Sequence, residues 1–115
     1  MANWRVPKVN QLIIKELSQI IKREIEFPPD VLVTLTRVDT TPDLEEARVF
    51  VSTLPEKEEK TVLIILTKCV YLLQQLLNRR LRMRPIPRII FVPETETVSA
   101  AKIEEILAGL QEKKK

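Results

Sequence analysis

The sequence predicts an α+β domain whose three-stranded mixed sheet is covered by helices on one face. Three observations carry this. Two β-branched stretches, residues 31 to 39 and 47 to 54, flank a short turn and read as a hairpin. A long helical stretch then leads to a third apolar run at 88 to 92, and a crossover of that length makes the second and third strands parallel, with a right-handed connection. An amphipathic helix precedes the hairpin. The order is therefore α-β-β-α-β, with a short C-terminal helix added.

Residues 5 to 26 place Val6, Val9, Ile13, Leu17, Ile20 and Ile21 at helical spacing. Pro7 fits the first turn, where an amide hydrogen has no partner to lose, and Pro28-Pro29 stops the helix. VLVTLTRVD then reads as a strand, Thr41-Pro42-Asp43 as turn chemistry, and ARVFVSTL as a second strand ended by Pro55. From Glu56 to about Met83 the pattern is helical, with acidic residues in the first turn and arginines in the last, as the helix dipole favours. Pro85 and Pro87 close it before the strand RIIFV. A last helix is expected from about Val98 to Leu110, with Ile103, Ile106, Leu107 and Leu110 on its apolar side. One domain, residues 1 to 110, accommodates all of this, and the basic residues 111 to 115 read as a disordered tail. Trp4 is expected to pack over its own helix.

The 115 residues contain no histidine, which removes the commonest general base and the commonest transition-metal ligand. Cys69 is the single cysteine, so neither an internal disulfide nor a cysteine zinc site can form; it reads as a small hydrophobe in a reducing compartment. Glu56, Glu58 and Glu59 read as an exposed helix start. No catalytic residue, metal or cofactor is expected. MANWRVPK has no apolar leader core, and the apolar run 61 to 77 is short of a membrane span and interrupted by Lys68, Gln74 and Gln75. The expectation is a cytoplasmic domain without membrane contact.

The formal net charge is only +3, yet its distribution is uneven. Residues 61 to 93 hold Lys68, Arg79, Arg80, Arg82, Arg84 and Arg88, and no acidic residue; the rest of the chain is net acidic. A basic block on an otherwise acidic protein points to a polyanion. Treated as one straight helix, the second helical stretch gathers Lys68, Tyr71, Gln75, Asn78, Arg79 and Arg82 within about 100° of one another. Leu66, Val70, Leu73, Leu77 and Leu81 fall opposite, as the core side, and Leu72 is an apolar exception on the polar side. Cations meet phosphates, amides reach phosphates or base edges, and a tyrosine ring can stack on a base. Lys8, Lys15 and Lys22 repeat every seven residues and line one stripe of the first helix. The bland alternative for both faces is a solvated helix surface.

Three segments together resemble one family. RVPKVNQLIIKELSQIIKREI is similar to the first helix of ribosome-binding factor A, VTLTRVDTTPDLEEARVFVSTL to its hairpin, and LLNRRLRMRPIPRIIFV to its passage from main helix to last strand. The resemblance spans about Arg5 to Phe91 and implies a type II KH-like fold and a cytoplasmic assembly factor. Such a factor binds small-subunit rRNA on the immature small ribosomal subunit, is a monomer when free, and assists rRNA processing without being an enzyme. The candidate RNA contacts read from charge and helical phase are Lys68, Tyr71, Gln75, Asn78, Arg79, Arg80, Arg82, Arg84 and Arg88, joined by Lys8, Lys15 and Lys22. The family's Ala-x-Gly kink between two helices corresponds here to Cys69-Val70-Tyr71, and the arginine that follows it to Gln74. Phe27-Pro28-Pro29 stands where the family has Asp-Pro-Arg, and Pro93-Glu94 where an aspartate follows the last strand. Since no glycine lies between Glu56 and Arg84, the long helix is expected to bend less at this place than the family pattern implies. The alternative function is a protein-interaction module that docks an acidic partner on the basic helix face.

Overall fold

A computed structural model describes residues 5–94; the expected C-terminal helix and tail, and Trp4, lie outside them. Helix α1 runs Arg5–Glu24 and buries Val9, Ile13, Leu17, Ile20 and Ile21, the stripe set by their spacing. Strands β1 (Leu32–Thr40) and β2 (Glu46–Leu54) pair antiparallel, and β3 (Arg88–Pro93) pairs parallel to β2, giving the sheet order β1-β2-β3. A 3-10 turn (Glu56–Glu58), α2 (Glu59–Lys68) and α3 (Val70–Arg80) form the crossover. The expected α+β architecture is the observed one.

The hairpin loop closes through Thr41 and Asp43. Leu44 N–H donates to the Thr41 carbonyl at 2.8 Å, and the Asp43 carboxylate accepts from Thr41 Oγ1 at 2.6 Å and from Glu45 N–H at 3.0 Å. Those bonds, the Thr41 hydroxyl first, hold the Asp43 carboxyl below its ordinary value. Leu44 takes a positive φ of 62°, a left-handed conformation costly for a branched side chain, and in return is buried under the sheet's helix-covered face.

The register of β1 slips between Leu35 and Arg37. Before the slip Val33 and Leu35 point to the helices; after it Val38 and Thr40 do. A bulge at Thr36 therefore turns a stretch whose apolar residues change parity into one that faces the core throughout. Thr36 Oγ1 donates to the Phe50 carbonyl at 3.3 Å. On the sheet's other face the Arg37 guanidinium lies 4.0 Å from the centroid of the Phe50 ring. Asn10 of α1 accepts from Thr40 N–H at 3.0 Å and from its hydroxyl, which satisfies a buried polar residue and fixes α1 against the end of β1.

The long helix departs from expectation. It is broken at Cys69, and its two parts are bent by 63°. Cys69 has φ −97° and ψ 2°, between the helical and extended regions and open to any L-residue, so no glycine is needed. Its N–H is shared between the carbonyls of Ile65 and Leu66, both at 3.2 Å, and its own carbonyl accepts from Leu73 N–H at 3.0 Å. One residue thus caps both helices. The driving force is packing: α2 lies on β2 and β3, whereas α3 lies on α1 and β3, and Val62, Leu66, Leu73 and Leu77 are each 0% exposed. No single described helix is long and apolar enough to cross a membrane.

Gln74 joins α3 to β3. Its Oε1 accepts from Ile89 N–H at 2.9 Å, and its Nε2 donates to the Pro87 carbonyl and to Asn78 Oδ1, each at 3.1 Å. Gln74→Ala leaves two half-buried backbone groups unpaired, and should lower unfolding free energy by about 1–3 kcal/mol in urea titrations. Gln74→Glu keeps the acceptor for Ile89 but sets a carboxylate oxygen against the Pro87 carbonyl and Asn78 Oδ1, and should cost at least as much. A loss for Gln74→Ala below about 0.5 kcal/mol, the level of an ordinary surface change, would show that the amide is not a clamp.

Candidate nucleic-acid interface

Helix α3 ends at Arg80, earlier than the expected Met83, because Leu81 turns extended (φ −95°, ψ 136°) to stay buried. Leu81 N–H still donates to the Leu77 carbonyl at 3.1 Å, so the chain folds back rather than running on. Arg84 Nη1 donates to the Met83 carbonyl at 2.7 Å and reaches back to the Leu81 carbonyl at 3.4 Å, which closes this turn. The result is an open groove of about 660 Å³ lined by Gln75, Asn78, Arg79, Leu81, Arg82 and Arg84.

Five of the expected RNA-contacting residues therefore share one concavity, although Arg82 and Arg84 reach it from the segment after the helix and not from the helix face calculated for a straight rod. Its lining holds three guanidinium groups, two amides and no carboxylate. Guanidinium forks match phosphate oxygens in bidentate geometry, and the amides can donate to phosphate or pair with base edges. Tyr71, 73% exposed, lies one turn before Gln75 on α3, and Lys68 is exposed at the end of α2. Leu72 is exposed, as its phase predicts, whereas Val70 is only half-buried.

The remaining cations are placed elsewhere. Arg80 Nη1 donates to Glu16 Oε1 at 3.0 Å and to Gln19 Oε1 at 3.1 Å, which ties α3 to α1. Arg88 pairs with Glu46 across the start of the β2–β3 ladder. Lys8, Lys15 and Lys22 are exposed on α1, and Lys22 lines a different groove, beside β1. At the kink, Cys69 is half-buried and caps the two helices, Val70 packs against the core, and only Tyr71 is offered to solvent. Gln74, aligned with the family's arginine, was not expected to matter. Its helical phase, beside Val70 at the border of the core side, is the only signal in the sequence, and its backbone partners, Pro87 and Ile89, lie thirteen and fifteen residues away. Among the described residues no group of His, Cys, Asp and Glu could hold a metal ion.

Comparison with known proteins gives a consistent picture. A family model described as ribosome-binding factor A matches residues 5–107. A ribosome-binding factor A of Clostridium perfringens is 32% identical over 116 aligned residues, covering 98% of this chain and all of that one. The crystal structure of ribosome-binding factor A from Thermus thermophilus superposes with a TM-score of 0.63 at 30% identity, over 74% of this chain and 89% of that one. A homology model of the Thermus thermophilus protein, fitted into the cryo-EM map of its complex with the 30S subunit, gives 0.64 at 29% identity, over 78% and 94%.

The neighbouring arginines 79 and 80 separate folding from surface chemistry. Arg80→Ala should destabilise the domain by about 1 kcal/mol, since its ion pair is three-quarters buried and hydrogen-bonded twice. Arg79→Ala, exposed, should change stability by less than about 0.5 kcal/mol. Chemical denaturation of the two variants checks this, and equal losses would contradict it.

Proposed function

The chain belongs to the ribosome-binding factor A family, and from that premise we propose that it binds the small ribosomal subunit by its rRNA and assists maturation of that RNA by binding alone. The observation that carries the reading is the groove of Gln75, Asn78, Arg79, Arg82 and Arg84, in which every charged lining residue is cationic. The relative fitted into a 30S complex supports the choice of partner.

The chemistry follows from the residues. Arg79 and Arg82 neutralise phosphates and release condensed counterions, which supplies affinity and makes it fall with salt. Gln75 and Asn78 add directional hydrogen bonds, and Tyr71 offers a ring to an unstacked base at the bend. Arg80 and Arg88 are neutralised by Glu16 and Glu46 and serve the fold more than the ligand. Specificity comes from the shape of the rRNA surface, because phosphate contacts alone carry no sequence information. Such a protein, acting on immature subunits, works in the cytoplasm. It docks, holds the RNA in a shape open to processing, and leaves.

Co-sedimentation with purified small subunits tests the reading. Arg79→Glu combined with Arg82→Glu should weaken binding at least about tenfold without impairing folding. Neutralising either one to alanine should flatten the slope of log affinity against log salt by about one unit. Deleting Lys113, Lys114 and Lys115 serves as a charge control and should have a smaller effect than the double reversal. An equal effect would move the site away from the groove, and competition by an acidic protein but not by purified rRNA would replace RNA as the ligand.

A further inference from the structure

A second groove, of about 440 Å³, lies between the C-terminal half of α1 and β1, and shares no residue with the cationic one. Its floor and walls are apolar, formed by Ile21, Ile25, Phe27, Val33 and Leu35, with Lys22 on the rim. Strand β1 is at the edge of the sheet, paired only with β2 among the described residues, so its outer row of N–H and C=O groups borders this groove. Leu32, at the start of that edge, is 61% exposed. Proteins ordinarily protect such an edge with a charge, a proline, a bulge or a cover; the segment from Leu32 to Leu35, ahead of the bulge at Thr36, has none of the first three.

We propose that this groove takes an extended acidic segment of a partner protein, which adds to β1 as a fourth strand. An added strand would pair its main chain with the free edge and set alternate side chains into the apolar groove. The charge of the partner follows from Lys22 on the rim and from Lys15, two turns before it on α1. Lys15 and Lys22 are exposed, seven residues apart on one stripe of α1, and neither has a carboxylate partner among the described residues. A strand lying beside them gains from acidic residues on its alternate, outward positions. A second copy of this chain is a poor occupant, because pairing edge to edge would set the lysines and Arg37 of each copy against those of the other. RNA is a poor occupant too, since six of the nine lining side chains are apolar and Lys22 is the one cation among them, where a phosphate backbone needs several donors. The stripe of lysines on α1, which the cationic groove leaves unused, acquires a role here.

The test is an amide-resolved NMR and hydrogen-exchange titration of the full chain with the synthetic peptide Glu-Val-Asp-Ile-Glu-Val-Asp. Binding should shift residues around the groove and slow exchange at alternate amides between Leu32 and Thr36. Lys15→Glu with Lys22→Glu should weaken it about tenfold, while leaving the free protein's spectrum intact elsewhere. Ser18→Trp, which fills the groove, should abolish it without touching either lysine. Four results would overturn the proposal. They are no binding at millimolar peptide, equal binding of the control Lys-Val-Lys-Ile-Lys-Val-Lys, the same amides shifting instead with an RNA oligonucleotide, or protection in the free full chain that is lost when residues 95–115 are deleted. The last would make the chain's own C-terminal segment the occupant.

Discussion

Helices α2 and α3 carry four fully buried side chains, Val62, Leu66, Leu73 and Leu77, that must all rest on one small sheet and its neighbouring helix. As a continuous rod the two would extend for about 33 Å, whereas the outer strands of a three-stranded sheet are only about 10 Å apart. Bending at Cys69 resolves the mismatch: α2 stays over β2 and β3, and α3 swings against α1. Everything at the cationic groove depends on this. The direction of α3 sets where Arg79 emerges, brings Arg80 within reach of Glu16, and places Gln74 beside the start of β3.

Cys69 also shows how a family's kink can persist without its glycine. A glycine would be needed if the break required positive φ, and here φ is −97°. The cost that remains is a shared hydrogen bond at the end of α2, offset by burial on both sides of the turn. Gln74 tells a related story. The family has an arginine at this position, but here the amide is engaged by Pro87, Asn78 and Ile89, so the residue fixes the start of the strand.

The six cations of the basic block divide by geometry rather than by charge. Arg80 and Arg88 have carboxylates within ion-pair distance, Arg84 donates to the backbone of its own turn, Lys68 stands at the bend, and Arg79 and Arg82 face the groove. Their equal formal charge hides this difference. A guanidinium neutralised by Glu16 adds little field at the groove, while one bordered by amides and other arginines adds most of it.

How much of this was legible in the sequence depends on whether the signal was local. The period of Val9, Ile13, Leu17 and Ile20 determined α1, the β-branched runs determined the strands, and the length of the crossover determined that β2 and β3 are parallel. The uneven charge located the groove to within a few residues, and the three-part resemblance named the family. The bend could not be read, because Val62, Leu66, Leu73 and Leu77 fall within about 60° of one another on a straight helix as well. An amphipathic period records which side is buried and is silent about curvature. The bulge at Thr36, the pairing of Arg80 with Glu16 sixty-four residues away and the clamp at Gln74 were equally hidden. Each depends on a partner brought close only by packing, so tertiary structure alone decided which cations are tied into the fold and which line the open groove.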